Sequence, residues 1–148
     1  MKAIRTWILV ADGARARVLE STGPGRRLTA HPELTFAHAL PRHEPGGSDR
    51  GRAFESASPA RHAVEPKSDP VRLSKHQFAI ELAEMLAGKL AEKAFDRVVL
   101  VAPAPMMGDL RSALDAPVRA VVSGEVVADL TKVPDVEIVQ HLGDVPGL

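Results

Sequence analysis

The sequence contains no cysteine among its 148 residues. Disulfides, thiolate metal sites and cysteine nucleophiles are therefore excluded, which fits a protein of a reducing compartment. Aromatic residues make up only 3% of the chain, so the core must be built mainly from valine, leucine, alanine and methionine. No apolar stretch approaches the roughly 18 residues of a membrane helix. The apolar run Trp7–Ala11 is too short for the core of a signal peptide. These absences predict a cytoplasmic protein without a membrane partner.

Several enzyme signatures are also missing. The chain has no HExxH zinc pattern, no phosphate-binding or dinucleotide fingerprint and no Gly-x-Ser-x-Gly elbow. Histidines His31, His38 and His43 are spaced irregularly, which is typical of solvated side chains rather than of metal ligands. Asp12 could belong to a nuclease site, but such sites need several carboxylates to hold Mg²⁺, and a turn explains Asp12 better. We therefore predict no catalytic residue, no metal and no cofactor.

The net charge is zero, but the charges are unevenly distributed. Residues 1–76 hold 13 Lys and Arg against 8 Asp and Glu, a surplus of +5, and residues 77–148 hold 6 against 11, a deficit of −5. This distribution fits a chance scatter of surface charge, and it also fits an N-terminal half that faces a polyanion such as RNA.

The first quarter of the chain has the pattern of a β-meander. Residues Ile4–Ala11 are rich in β-formers and predict a strand buried on both faces. Asp12-Gly13 follows at once, and this dipeptide between two β-like runs predicts a hairpin with a type I′ turn. A third strand is predicted at Leu28–Phe36, bent or interrupted at Pro32.

The second half predicts helices alternating with strands. Ser74 and Gln77 have the spacing of a capping box and predict the start of a long helix that ends near Ala94. The fold class is therefore α/β, of the mixed α+β kind, with about five strands in a mixed sheet and flanking helices, in a single domain 1–148. The tail 143–148 is expected to fray. The other predicted elements are a strand at Arg97–Ala102, a helix at Met106–Leu114, a strand parallel to the previous one at Val118–Val122 and a helix at Pro134–Leu142. Gly124 is expected to break the strand at Val118–Val122, and Val126-Val127 to extend or kink it.

Between the meander and the long helix, residues 38–73 show no periodicity. This stretch is rich in proline, glycine and basic residues. Loops of this length are uncommon in compact domains and are usually functional or disordered. We therefore predict a long mobile loop that carries the function.

A resemblance gives this loop a more specific interpretation. The segment Trp7–Leu19 (WILVADGARARVL) resembles the opening of the bacterial family of proteins required for attachment to host cells. The resemblance runs from about residue 5 to residue 142. Further pieces that match the family in order are Asp49-Arg50-Gly51-Arg52, Phe54-Glu55-Ser56, Arg61-His62, Glu65-Pro66-Lys67, Phe78-Ala79, Phe95-Asp96-Arg97, Val101-Ala102-Pro103, Gly108-Asp109-Leu110-Arg111 and Asp129-Leu130-Thr131-Lys132.

That family is in turn similar to the middle domain of archaeal and eukaryotic peptide-chain release factors. The similarity implies a mixed α/β sheet and a long loop before the main helix. In release factors the loop carries a Gly-Gly-Gln tripeptide, and Gly46-Gly47-Ser48 lies in a comparable place here. Because Ser48 stands where release factors have glutamine, the resemblance implies a loop that binds rather than one that cleaves.

The leading hypothesis is a non-catalytic module that associates with RNA, a tRNA or the ribosome. Its arginines would contact phosphates, unless they pair with acids of the same loop. The alternatives are an indirect role in attachment through a protein partner, and a small hydrolase that uses Ser48, His43 or His62. The oligomeric state is open, and an edge strand of the meander could pair across a twofold axis to form a homodimer. The predicted binding residues are Arg42, Gly46, Gly47, Ser48, Arg50, Arg52, Arg61, His62 and Lys67.

Overall fold

A computed structural model describes residues 4–22, 27–39 and 69–143 of the chain. It contains five strands: β1 (Arg5–Ala11), β2 (Arg15–Thr22), β3 (Leu28–Ala37), β4 (Arg97–Ala102) and β5 (Val122–Val127). They form a mixed sheet in the order β3-β2-β1-β4-β5. The first three strands form an antiparallel meander, and β4 pairs parallel with both β1 and β5. This confirms the predicted mixed sheet with an N-terminal meander.

Helices cover both faces of the sheet. The described ranges contain α1 (Pro70–Ala91), α2 (Ala104–Ala113), α3 (Ala116–Ala120) and α4 (Asp135–His141). The first three form one core with alternate residues of the strands, for example Phe78 with Leu9 and Leu100. On the opposite face, Ile138 of α4 belongs to a second core with Ile8 and Val99. The central strands β1 and β4 are thus buried on both sides, as their almost continuous apolar sequences predict.

The long helix α1 begins earlier than predicted. Asp69 is its N-cap, because the Asp69 carboxylate accepts hydrogen bonds from the backbone N–H groups of Val71 and Arg72, and Pro70 occupies the first turn. The predicted start at Ser74 is therefore wrong, and residues 70–73 belong to the helix rather than to the loop. An Asp cap followed by proline satisfies the free N–H groups of a helix start equally well, and here it adds a further turn.

The predicted strand Val118–Val122 is also wrong. Residues Ala116–Ala120 form the short helix α3, and β5 starts only at Val122 and continues through Gly124. The Asp115 carboxylate accepts a hydrogen bond from the Val118 N–H, 3.1 Å away, and so caps this turn. Val118 is the only side chain of α3 that is buried. The apolar run therefore reflects one buried helical contact followed by a strand, which runs parallel to β4 as expected.

Three smaller predictions concern β3, α4 and the membrane. The pairing of β2 with β3 shifts register between Arg17 and Leu19, on the stretch of β3 that contains Pro32, so the expected interruption is present. The helix predicted at Pro134–Leu142 is α4, with Pro134 as its N-cap. Within the described ranges, no helix is long and apolar enough to cross a membrane.

Candidate functional site

All nine predicted binding residues lie outside the described residues, between positions 40 and 68. They remain predictions. We call residues 40–68 the Gly/Arg segment. The structure does describe the residues that flank it: His38 and Ala39 before it, and Asp69 and helix α1 after it. The candidate site is therefore built from these flanks and from what they contact.

Both flanks contact the turn between β1 and β2. The His38 N–H donates a hydrogen bond to the Ala14 carbonyl oxygen at 2.7 Å. From the other side, Lys75 in the first turns of α1 lies over Gly13, where an added Cβ would come within 2.7 Å of the lysine Cγ and Cδ. A side chain at position 13 would therefore displace the Lys75 side chain. The two ends of the Gly/Arg segment therefore lie at the same end of the sheet, beside the β1–β2 turn.

The turn itself is organised by Asp12. The Asp12 Oδ1 accepts hydrogen bonds from the N–H groups of Ala14 (2.7 Å) and Arg15 (2.8 Å), and the Asp12 N–H donates to the Arg15 carbonyl oxygen (2.9 Å). The predicted hairpin is confirmed, but the type I′ turn is wrong because neither Asp12 nor Gly13 has a positive φ. Instead, the hydrogen bonds that the Asp12 carboxylate accepts hold the turn in a different backbone conformation.

The other oxygen of Asp12 makes a long-range contact. Thr131, which follows β5, lies with its Oγ1 3.0 Å from Asp12 Oδ2 and 2.8 Å from Asp129 Oδ1. Thr131 is buried, with 8% of its surface exposed. A hydroxyl has one proton, so Thr131 donates to one of the two carboxylates at a time. This contact joins two parts of the sequence that are 119 residues apart.

Arg17 on β2 reinforces the same junction. Its guanidinium donates to the carbonyl oxygens of Thr131 (2.7 Å) and Val133 and to the Asp135 carboxylate (2.8 Å). Beside Arg17 is a cavity of about 100 Å³. This volume is well below the roughly 300–1,000 Å³ of ordinary small-molecule sites, so the junction is built to hold two chain segments together rather than to enclose a ligand. The cavity is lined by Val10, Arg15, Ala16, Arg17, Thr35, Phe36 and Thr131.

On the opposite side of the turn, α1 is fixed to α2 by a buried carboxylate. Arg72 donates a hydrogen bond to Asp109 Oδ1 at 2.6 Å, and His76 Nδ1 lies 3.3 Å from the same oxygen. The hydrogen bond to Asp109 is the main reason why the pKa of Arg72 is raised above its ordinary value. Asp109 Oδ2 is buried and has no hydrogen-bond partner within the described part of the chain. Asp109 therefore positions the first turns of α1, where the Gly/Arg segment ends.

Three side chains with hydrogen-bond donors are partly exposed among these contacts. Arg15, Arg72 and His76 each expose roughly half of their side chains at this end of the sheet, at 58%, 45% and 46%. In the part of the chain that the structure describes, no three His, Asp or Glu side chains are grouped so as to hold a metal ion. The geometry thus provides two half-exposed arginines next to the flanks of the Gly/Arg segment, each close to a carboxylate of the domain.

The sequence does not indicate that Thr131, Asp109 and His76 are parts of this site. The first two lie in motifs that carry the family resemblance, Asp129-Leu130-Thr131-Lys132 and Gly108-Asp109-Leu110-Arg111. The motifs do not indicate that Thr131 contacts the β1–β2 turn or that Asp109 contacts α1. The order of motifs along the chain contains no such distance.

Comparison with known proteins identifies the family to which the chain belongs. The profile of a family described as "Protein required for attachment to host cells" matches residues 7–142, nearly the whole chain. The chain belongs to this family. The match includes both sides of the Asp12–Thr131 contact and both flanks of the Gly/Arg segment. Among curated proteins, none matches the chain.

Proposed function

We propose that this host-attachment family protein is a non-catalytic RNA-binding module that associates with a tRNA or the ribosome through its Gly/Arg segment. The observation that carries the proposal is the anchoring of both ends of that segment on the β1–β2 turn, through His38 and Lys75. The chain therefore leaves the folded domain and returns to it beside the same turn. The segment's basic residues Arg50, Arg52 and Arg61 then act together with the cations of the domain.

We place the main source of affinity in the segment itself, which holds five Lys and Arg against four Asp and Glu. Arg15 lies 4.0 Å from the Asp12 carboxylate and Arg72 is bound to Asp109, so the two arginines beside the β1–β2 turn are partly neutralised. Phosphate contacts by unpaired Lys and Arg supply most of non-specific RNA affinity. Replacement of Arg50 and Arg52 should therefore weaken binding more than replacement of Arg15.

The resemblance to release factors that we infer from the sequence motifs is a further argument for binding over cleavage. Their loop acts with a Gly-Gly-Gln tripeptide, and Gly46-Gly47-Ser48 keeps the two glycines without the amide. Two glycines without side chains would let an RNA backbone approach closely. It lacks the side chain that orients the attacking water in the release factors.

The test is the affinity of the full-length protein for a fluorescently labelled tRNA and for a single-stranded RNA, measured by anisotropy at several salt concentrations. The double substitution Arg50→Ala/Arg52→Ala should weaken binding to both RNAs and reduce the slope of log K against log salt by about 0.7 per lost phosphate contact. Arg27→Ala is the matched control. Arg27 is exposed and precedes β3, whereas the segment leaves from the other end of that strand.

Two results would contradict the proposal. One is the absence of binding to either RNA at about 50 mM salt, where phosphate contacts are strong. The other is an equal loss of affinity in the Arg27→Ala control, which would show that net charge alone matters.

The family match favours a second candidate, an attachment role through a protein partner. The two candidates separate in a strain that lacks the protein and is complemented with variants. If Arg50→Ala/Arg52→Ala restores attachment as well as the wild type does, the protein-partner route is favoured. If the double variant fails to restore it, attachment depends on the RNA-binding segment. The hydrolase alternative predicts instead that Ser48→Ala abolishes turnover while RNA binding persists.

A further inference from the structure

The two outer strands of the sheet, β3 and β5, differ in how well they are protected from pairing with another strand. The outer strand β3 contains Pro32, which has no N–H to donate, and the exposed charge of Glu33, and its pairing with β2 is interrupted there. Proline, charge and irregular pairing are the devices that block edge-to-edge association. The outer edge of β3 is therefore unfavourable for the homodimer considered at the meander.

The outer edge of β5 has few such devices. Its sequence, Val-Ser-Gly-Glu-Val-Val, contains no proline and no lysine. Its single charge, Glu125, is bound on its own chain by Arg111 of α2, at 3.0 and 2.5 Å. The pairing of β5 with β4 is regular from Gly124 to Val127, after one shift near its beginning. Within the described ranges, no strand pairs with the other side of β5, so its outer row of N–H and C=O groups is free to accept one.

The two ends of β5 carry an apolar projection and a cavity. Val127 at its end is 57% exposed, which makes it one of the few large exposed apolar residues of the described chain. At its beginning is a cavity of about 280 Å³ whose lining includes Leu114 and Val122. Val122 and Val127 pair with Val98 and Ala102, which both belong to the core on the α1 side. The projection and the cavity therefore lie on the same face of the sheet.

Charges at the two ends are complementary as well. Arg119 lines the cavity at the beginning of β5 and is exposed. Asp129, two residues beyond Val127, is exposed at the other end. An antiparallel partner strand of the same sequence brings the end of one β5 to the beginning of the other. Such a partner places Val127 beside Val122 and Leu114, and Asp129 near Arg119.

From this self-complementarity we propose that β5 pairs antiparallel with β5 of a second copy of this chain. A twofold axis near the middle of the strand joins the two five-stranded sheets into one continuous sheet. Each Val127 enters the cavity of the other copy, and each Arg119 faces the partner's Asp129. Because the interface is isologous, the same contacts form on both sides of the twofold axis.

The test is the mass of the full-length protein in solution, measured by light scattering and sedimentation over a range of concentrations. The wild type should have twice the 15.8 kDa of one chain. Val127→Lys should raise the dimer dissociation constant at least about tenfold, because it places an ammonium group where two apolar surfaces meet. The matched control is Val136→Lys. Val136 is more exposed still, at 83%, but lies on α4 and away from β5.

A second variant covers the charges. Arg119→Glu should also weaken the dimer, and circular dichroism spectra should show that both weakened variants remain folded. The proposal is overturned if the wild type has the mass of one chain up to about 100 µM, where even weak specific dimers form. It is also overturned if Val127→Lys and Arg119→Glu leave the dimer intact, or if Val136→Lys dissociates it equally.

Discussion

Replacement of Thr131 by valine tests the contact that joins the β1–β2 turn to the segment after β5. Valine has nearly the same shape as threonine, so the substitution removes the hydroxyl and leaves no cavity. Thr131 is buried, and its Oγ1 is 3.0 Å from Asp12 Oδ2 and 2.8 Å from Asp129 Oδ1. After the substitution, the carboxylate that accepted the hydroxyl proton has lost one of its donors, while the backbone N–H groups that donate to Asp12 and Asp129 remain.

The expected cost follows from the type of hydrogen bond. A hydrogen bond to a charged group contributes about 1.5–3 kcal/mol, and the low exposure of Thr131 means that water replaces it poorly. We therefore expect Thr131→Val to lower the free energy of unfolding by about 1.5–3 kcal/mol. For a chain of this length, each kcal/mol corresponds to about 2–4 °C in the melting temperature, so the variant should melt several degrees lower.

The assay is urea unfolding followed by circular dichroism, combined with a double-mutant cycle. Thr131→Ser keeps the hydroxyl and loses one methyl group, so it should cost only about 0.8 kcal/mol. Asp12→Ala also removes the turn contacts of Asp12. The cycle of Asp12→Ala with Thr131→Val therefore isolates the long-range part, and it should show a coupling of at least about 0.5 kcal/mol. The reasoning is refuted if Thr131→Val is as stable as the wild type, or if the coupling is zero.

Two further predictions concern the edge of β3 and the start of α1. Burial lowers the pKa of His31, but its hydrogen bonds to Glu20 and Glu33 outweigh this effect and raise the pKa above 6.5. The folded state therefore holds the His31 proton more tightly than the unfolded state. The stabilisation that the His31 contacts supply is complete below about pH 6.5 and is lost as the pH rises through the raised pKa. NMR titration of the His31 ring should give a midpoint above 6.5. A midpoint below 6.5 would contradict the raised pKa. For α1, Asp69→Ala should cost about 0.5–2 kcal/mol as the loss of an N-cap, whereas Ser74→Ala should cost almost nothing, and the reverse order in thermal melts would restore the capping box at Ser74.

The elements that the sequence predicts well are those with one dominant local signal. The strands β1 and β4 have uninterrupted apolar runs, and burial on both faces of a sheet accounts for them. The interruption of β3 follows from Pro32, since proline cannot donate to a regular ladder. These features depend on neighbouring residues alone, so one sequence contains enough information to find them.

The errors occur where two local signals compete. The start of α1 carries both Asp69-Pro70 and the spacing of Ser74 with Gln77, and each satisfies the free N–H groups of a helix start. At Val118–Val122, β-branched residues favour a strand, but the Asp115 cap converts the first part into a helical turn. Packing decides between such alternatives, and packing is not local.

Contacts in the candidate site could not be predicted either, because they join residues far apart in the sequence. Asp12 and Thr131 are 119 residues apart, and nothing in either motif indicates the other. In the sequence, Arg72 is one of several basic residues near the loop, yet its partner Asp109 lies on α2, in a different motif. The sequence indicates which residues are unusual, and the fold determines which of them meet.

The central claim, that the Gly/Arg segment binds RNA from its anchorage on the β1–β2 turn, is tested most directly by co-sedimentation with ribosomes. The wild type should sediment with ribosomes at low salt and dissociate as the salt concentration rises, because phosphate contacts weaken steeply with salt. Arg50→Ala/Arg52→Ala should stay in the supernatant at salt concentrations where wild type and Arg27→Ala still sediment. A wild-type protein that remains in the supernatant at low salt, or a double variant that sediments as well as the wild type, would contradict the claim.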